Sequence, residues 1–252
     1  MRINQSVGES APLARQDKKN AAEPVVIIVD DDAAVREALS ELILSAGFQP
    51  ASFASSQEVL NAVDVLDSPG CLILDVHMPE ASGLHLQHHL AESGIAKPII
   101  FLTGHGDIPM TVQAMKAGAV DFLTKPVSDR TLLDAVRAGI ASDGAWRAEA
   151  VVVKRNLERL GALTHREREV LREVATRGRL NKQIAFDLGI SEVTVKLHRA
   201  NAMRKMEVRS IGDLIRAWET LPPTIRETAG LDSDQAQHQV LRWPRGLLPR
   251  GR

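Results

Sequence analysis

The sequence predicts an α/β fold: a doubly wound, five-stranded parallel sheet of order 2-1-3-4-5, followed by a small all-α domain. Three observations predict it. Short runs of branched apolar residues alternate with helix-periodic segments through the first half, the pattern of a parallel sheet with helices on both faces. From residue 163 onward no strand-like run remains and helical periodicity takes over. Charge changes at the same place: residues 25–127 hold 4 Lys/Arg against 13 Asp/Glu, and residues 160–219 hold 12 against 8. An acidic half joined to a basic half points to two domains with different partners.

The elements follow in order. VVIIV (25–29) reads as a buried strand, and AAVREALSELILSAG as a helix turning Val35, Leu39, Leu42 and Ile43 inward. QPASF is a shorter strand and SSQEVLNAV a short helix. CLIL (71–74), PIIFL (98–102) and AVDFL (119–123) are the remaining strands, separated by helices over GLHLQHHLAESG and MTVQAMKAG. Ser128 opens TLLDAVRAGI, and helical character continues with interruptions to Leu160, weakest at Asp143-Gly144. LTHREREVLREVATRG starts with Thr164 and, three residues on, Glu167, which together form a capping box. These readings divide the chain into a sheet domain at 24–140, a helical connector at 141–160 and a helical domain at 161–219. Residues 1–23 and 220–252 lack a sustained period and are expected to be disordered.

The totals narrow the setting. A single cysteine, Cys71, rules out an internal disulfide framework and a zinc cluster. No apolar run nears the roughly 18 residues of a membrane span, and the polar N-terminus lacks the apolar centre of a secretory signal. The expectation is a cytoplasmic protein with no membrane partner.

Four of the five strands end on chemistry. The first runs into Asp30-Asp31-Asp32, the third into Asp75, the fourth into Thr103-Gly104-His105-Gly106 and the fifth into Thr124-Lys125-Pro126. Ligands of open parallel sheets collect beyond the carboxyl ends of the strands. With the first and third strands adjacent, their carboxylates converge and repel unless a cation joins them. Hard oxygen ligands suit magnesium. A carboxylate such as Asp75 can attack phosphorus and form an aspartyl phosphate, with Lys125 offsetting the developing charge and Thr103 offering a hydroxyl. A lone Asp after a strand is usually a turn residue; it is the convergence of the strand-end groups that singles out Asp75.

VVIIVDDD, LILDVHMPEASGL, FLTGHGD and AVDFLTKP together resemble the receiver domain of two-component response regulators. The resemblance covers residues 25–140 and implies that Asp75 is the phosphoacceptor. It further implies that Asp30, Asp31, Asp75 and the backbone carbonyl of His77 bind Mg2+, with Asp32 outside the ion's ligands. Thr103 becomes the switching hydroxyl, Lys125 the accompanying lysine and Phe122 the switch aromatic. The His77 side chain and His105, one or two residues from the site, read as exposed loop histidines, with tuning of the phosphate's lifetime as the alternative.

In the basic half, NKQIAFDLGISEVTVKLHRANAMRKM (181–206) reads as helix, turn, helix, with Gly189 ending the first helix and Ser191 capping the second. At about 100° per residue, Val195, His198, Ala202 and Met206 share one face. Val193, Lys196, Leu197, Ala200 and Arg204 lie opposite, a basic and small-residue surface suited to the major groove, with Lys182 placed to touch a phosphate. Together with LTHREREVL and DLIRAW, this segment resembles the DNA-binding domain of the LuxR/NarL class, and the domain order, with TGHGDIPM and HRANAMRKM, resembles the FixJ subfamily, in which the long polar C-terminal tail has no counterpart. That resemblance implies a transcriptional response regulator phosphorylated by a cognate sensor histidine kinase. It implies promoter DNA and RNA polymerase as partners and a homodimer on phosphorylation. Two alternatives are a DNA-binding protein whose receiver does not switch, and a phosphohydrolase using Asp75 as nucleophile. The second carries His77 where haloacid dehalogenase-type phosphatases place an acidic residue.

Overall fold

Five strands pair in parallel in the order β2-β1-β3-β4-β5. They are β1 (Val25–Val29), β2 (Gln49–Phe53), β3 (Gly70–Leu74), β4 (Ile99–Thr103) and β5 (Asp121–Thr124). The computed structural model describes residues 23–79, 81–104 and 106–228. Between the strands run α1 (Ala33–Ser45), α2 (Ser56–Asn61), α3 (Val63–Asp67), α4 (Gly83–Glu92) and α5 (Ile108–Lys116). Helix α6 (Asp129–Gly161) leads into α7 (His165–Arg177), α8 (Asn181–Leu188), α9 (Glu192–Lys205), α10 (Ile211–Glu219) and α11 (Pro223–Thr228).

Strand alternation splits the sheet's side chains into two cores. Ile27, Val29, Leu72, Leu74, Ile99 and Phe101 pack with Val59, Leu66, Leu86, Leu90 and Ala114 of α2 to α5. Val26, Ile28, Cys71, Ile73, Ile100 and Leu102 pack with Leu39 and Ile43 of α1 and Leu132, Ala135 and Val136 of α6. Residues on both faces of β1, β3 and β4 are buried, which is why those strands read as unbroken apolar runs. The expected α1 face is seen: Leu39 and Ile43 are buried, and Val35 and Leu42 pack partly buried against them. At the start of β3 the chain needs Gly70, whose φ is 134° and whose Cβ would fall 1.9 Å from the Val25 carbonyl oxygen.

Three expectations need correction. The fifth strand begins at Asp121 rather than Ala119: the Ala119 amide still closes the turn on Ala114 of α5, and Val120 is the first residue to donate to β4, at the Ile99 carbonyl. The connector expected at 141–160 is not a separate element, because α6 runs without interruption from 129 to 161. Its weak point is reinforced: the Asp143 carboxylate is buried and accepts hydrogen bonds from the Gly70 amide at 2.9 Å and from Arg147 Nε at 2.7 Å. Arg147 and Lys97 in turn both donate to the Ser68 carbonyl, at 2.7 and 2.6 Å. Gly144 is therefore a tolerated helical glycine beside a fixed carboxylate. Nor does order stop at 219. Leu221 and Ile225 are buried in the helical domain's core, and α11 continues to Thr228. Two inward apolar residues four apart are too short a pattern to stand out by period alone, and Pro223 sits at a helix start, where its missing N–H costs nothing. The rest of the expected disordered segments, 1–22 and 229–252, lies outside the described residues.

The helical domain closes around Val153, Leu157 and Leu160 of α6, Val170, Leu171 and Val174 of α7, Ile184 of α8, Val195 and Ala202 of α9, and Leu214 and Trp218 of α10. Arg168 donates to the carbonyls of Leu160 and Gly161 at 3.2 and 3.1 Å, satisfying acceptors that the end of α6 leaves open. The Thr164–Glu167 capping box forms as expected. Glu167 also binds Lys205 at 2.7 Å. Burial opposes the Glu167 charge, but Lys205 and the Thr164 hydrogen bonds outweigh it and hold the carboxyl below its usual range.

Two outcomes are expected from the Asp143 cluster. Asp143→Ala leaves the half-buried Arg147 guanidinium and the Gly70 amide without their shared acceptor, and urea unfolding should report a loss of about 1–3 kcal/mol from the sheet domain. Burial lowers the Lys97 ammonium to about 8, against an ordinary value of 10.5, despite the nearby Asp143. Between those values the unfolded chain binds more protons than the native one, so this lysine's contribution to stability rises with pH. Cys71, pushed by burial from 9.0 to about 12, opposes that rise above pH 9. The clean window is therefore pH 8 to 9, where Lys97→Met should show a shallower upward slope of stability than the wild type.

Candidate functional site

The acidic site lies beyond the carboxyl ends of β1 and β3. Parallel pairing aligns Val29 with Leu74, so the residues that follow, Asp30 and Asp75, emerge side by side. Both are buried, at 2% and 8% exposure, while Asp31 is exposed. Carboxylate oxygens of Asp30, Asp31 and Asp75 lie within 4.8 Å of one another. Such a set consists wholly of hard oxygen donors and fits a small divalent cation that uses carboxylates and water.

One ammonium offsets part of this charge. Lys125 reaches over from the end of β5 and places Nζ 2.6 Å from Asp30 Oδ2 and 3.4 Å from Asp75 Oδ2. Burial alone would lower the lysine's pKa. The hydrogen bond and charge of Asp30, followed by those of Asp75, more than cancel this and raise it above the ordinary value. Its contribution to stability is thus complete at neutral pH and is lost only as pH climbs past 10.5 and through the native value.

The loop backbone is held from below. Arg36 of α1 donates to the carbonyls of Asp30 and Asp31 at 2.7 and 3.0 Å. Asp32 turns away and caps α1, accepting from the Ala34 and Val35 amides. At the other strand end, Gly83 comes so close to β3 that a Cβ there would sit 2.3 Å from the Asp75 carbonyl oxygen. Sequence reasoning missed Arg36, since an arginine in the first turns of a helix carries no signal of its backbone partners.

Thr103, at the end of β4, is fully buried. Its Oγ1 lies 3.1 Å from Nδ1 of His77, so His77, although exposed, has a partner inside the site. The His77 amide also points to Asp75 Oδ1, at 3.4 Å. Phe122 is half-buried, its ring centroid 5.8 Å from that of Phe101. Gly106 separates the aromatic from Thr103: a Cβ at 106 would meet Phe122 Cε1 at 2.9 Å and Thr103 Cγ2 at 3.4 Å. The expected switch pair is therefore packed across one glycine. His105 lies outside the described residues.

The second candidate surface is on the helical domain. Gly189 ends α8 at φ 63°, and Ser191 caps α9 by accepting from the Thr194 amide. Val195, Ala202 and Met206 are buried and His198 is half-buried, as the helical period requires. Lys182, Val193, Lys196, Leu197, Ala200 and Arg204 are all exposed. Val193 and Leu197 remain 74% and 59% exposed. Arg199 is turned aside and donates to Asn181 at 3.0 Å, tying α9 to α8. No helix among the described residues is long and apolar enough to cross a membrane.

Residues 26–137 match the family described as response regulator receiver domain, and residues 161–218 match the luxR family of bacterial regulatory proteins. The chain is 51% identical to the response regulator protein TodT of Pseudomonas putida over 201 residues, which are 80% of this chain and 88% of that one. It is 42% identical to the transcriptional regulatory protein FixJ of Azorhizobium caulinodans, over 76% of this chain and 90% of the relative. The low-resolution structure of the response regulator StyR matches with a TM-score of 0.65 at 47% identity, over 79% of this chain and 99% of that one.

The ion pairs at the strand ends make a direct prediction. Lys125→Met leaves Asp30 and Asp75 buried without their ammonium, and the sheet domain should lose about 1–3 kcal/mol in denaturant titrations at low divalent cation. Millimolar Mg2+ should return part of that loss, since a ligand of the native state stabilises it. A variant whose stability ignores Mg2+ would argue against carboxylate repulsion as the cause.

Proposed function

We propose a mechanism from one premise: the chain belongs to the response regulators that join a receiver domain to a luxR-family DNA-binding domain. It is a transcription regulator of a two-component system, not an enzyme. On our reading Asp75 is the phosphoacceptor and a sensor histidine kinase is the donor. The observation that carries this reading is the meeting of Asp75 with Asp30, Asp31 and Lys125 at the strand ends.

An Asp75 oxygen attacks the phosphorus of the kinase's phosphohistidine. The new P–O bond forms as the P–N bond breaks, and the electron pair leaves with the imidazole nitrogen. Asp30, Asp31, Asp75 and the backbone carbonyl of His77 would hold Mg2+, whose chemistry when bound is to neutralise charge on the transferring group. The product replaces the single carboxylate charge with a phosphoryl group of about −1.5 to −2, a net gain of at most about −1, and sets three acceptor oxygens beside Lys125. Lys125 then divides its hydrogen bonds between Asp30 and the phosphoryl oxygens, and Thr103 donates its hydroxyl to them. Because Gly106 lies between Thr103 and Phe122, movement of the loop frees the aromatic to follow.

The moving loop continues into α5, which carries Ile108, Val112 and Met115 at 80%, 44% and 42% exposure. Their spacing of four and three puts them on one helical face. We assign this stripe, with β5 and α6, as the surface on which two phosphorylated receivers pair. Pairing brings two DNA-binding domains onto adjacent half-sites and raises their effective concentration there. Lys182 contacts a phosphate, while Val193, Lys196, Leu197, Ala200 and Arg204 face the major groove. RNA polymerase is the partner through which the bound dimer acts, in the cytoplasm.

Light scattering with Mg2+ and beryllofluoride, which stands in for the phosphoryl group, tests the switch. The wild type should move toward a dimer and Asp75→Asn should not. A wild type that stays monomeric and gains no DNA affinity would sink the proposal. On the DNA side, Lys182→Ala should weaken binding to all sequences alike and reduce the slope of log affinity against log salt by about 1. Arg204→Ala or Lys196→Ala should instead cost about 1–3 kcal/mol mainly on the cognate operator. Equal losses on random DNA would remove α9 from base readout.

A further inference from the structure

We propose that the His77 imidazole is a positioning residue of the switch, holding the Thr103 hydroxyl in its unphosphorylated arrangement so that phosphorylation must break this bond. The inference rests on the receiver mechanism proposed above and assigns a role to a side chain that mechanism leaves unused, since His77 enters it only through its backbone.

The contact is specific. His77 follows Asp75 by two residues at the end of β3, and its Nδ1 crosses to Thr103 Oγ1 on the neighbouring strand at 3.1 Å. Thr103 is fully buried, and a buried hydroxyl is held firmly by whatever accepts its proton. A hydroxyl has one proton to donate, and phosphoryl oxygens only accept. With the ring proton on Nε2, Nδ1 is the acceptor, and the Thr103 proton serves either His77 or the phosphoryl group. The two states of the switch thus compete for a single donor. The amide of the same residue points to Asp75 Oδ1 at 3.4 Å, so the segment bearing the latch also adjoins the acceptor it answers to. An exposed imidazole at 77 keeps its own solvent on release, so opening the latch buries no orphaned polar group on the histidine side.

Nearby groups leave Thr103 as the sensible target of this ring. Lys125 is taken by Asp30 and Asp75, Asp32 caps α1 and Arg36 is bound to the backbone of residues 30 and 31. Toward Gly106, Thr103 turns its Cγ2 methyl. Removing the imidazole therefore relieves a restraint on the hydroxyl without disturbing the charges that would receive the phosphoryl group.

The test is a beryllofluoride titration of the full chain in Mg2+, read as dimer formation by light scattering. Wild type, His77→Ala and His77→Asn are compared, each also in a Thr103→Ala background. Asparagine can place a polar atom near the position of Nδ1. The account expects His77→Ala to reach half-response at a concentration on the order of fivefold lower, the equivalent of one ordinary hydrogen bond. His77→Asn should return toward wild type, and in the Thr103→Ala background the histidine substitution should change nothing. Unchanged or weaker response in His77→Ala overturns the latch, the weaker one by indicating that Nδ1 donates and supports the active state. An effect that persists without the Thr103 hydroxyl overturns it as well. If the wild type itself ignores beryllofluoride, the receiver mechanism fails first and the latch with it.

Discussion

Two buried carboxylates at the ends of neighbouring strands form the constraint on which the rest of the molecule depends. Asp30 and Asp75 repel each other in a space largely closed to water and need a counter-charge between them. In this chain Lys125 supplies it, at 2.6 and 3.4 Å. The lysine comes from the far side of the sheet order, two strands away from Asp75, so the ion pairs also tie β5 to the centre of the sheet. A phosphoryl group placed on Asp75 changes the balance that Lys125 maintains. Everything proposed for the switch is a response to that imbalance: a hydroxyl drawn in, a loop moved, an aromatic released and an apolar helix face brought into use.

Helix α6 carries the consequence toward DNA. Its first turns pack on the sheet through Leu132, Ala135 and Val136, and its last turns belong to the core of the helical domain through Val153, Leu157 and Leu160. The Asp143–Arg147–Lys97 cluster fixes the middle of the helix to the amino end of β3. The phosphoacceptor lies at the carboxyl end of the same strand. One strand thus bears the acceptor at one end and holds the connecting helix at the other, which gives the sheet domain a rigid handle on the path to the DNA-binding domain.

Much of this was legible in the sequence, for identifiable reasons. β1, β3 and β4 are buried on both faces and so wrote themselves as apolar runs, and in a parallel sheet the residues after such runs share one edge. Asp30, Asp75, Thr103 and Lys125 could therefore be named before any coordinate was known. The outward face of α9 was legible because 3.6-residue periodicity separates Val195 and Ala202 from Lys196 and Arg204 without reference to tertiary contacts. What stayed hidden depends on contacts distant in sequence or on side-chain direction. Asp143 looked like a weak point because the Gly70 amide that its carboxylate accepts from lies 73 residues away in the sequence. α11 was missed because only Leu221 and Ile225 mark it. The link between His77 and Thr103 is a matter of one ring's orientation, which no spacing rule encodes.

The most direct measurement of the central claim is to incubate the full chain with Mg2+ and a small phosphodonor such as acetyl phosphate, then map the modified residue by mass spectrometry under conditions that preserve acyl phosphates. The account predicts one phosphoryl group per chain, on Asp75, lost slowly afterwards and absent when Asp75 is replaced by asparagine. Stoichiometric phosphorylation at another residue, or none at all with the site intact, would contradict it.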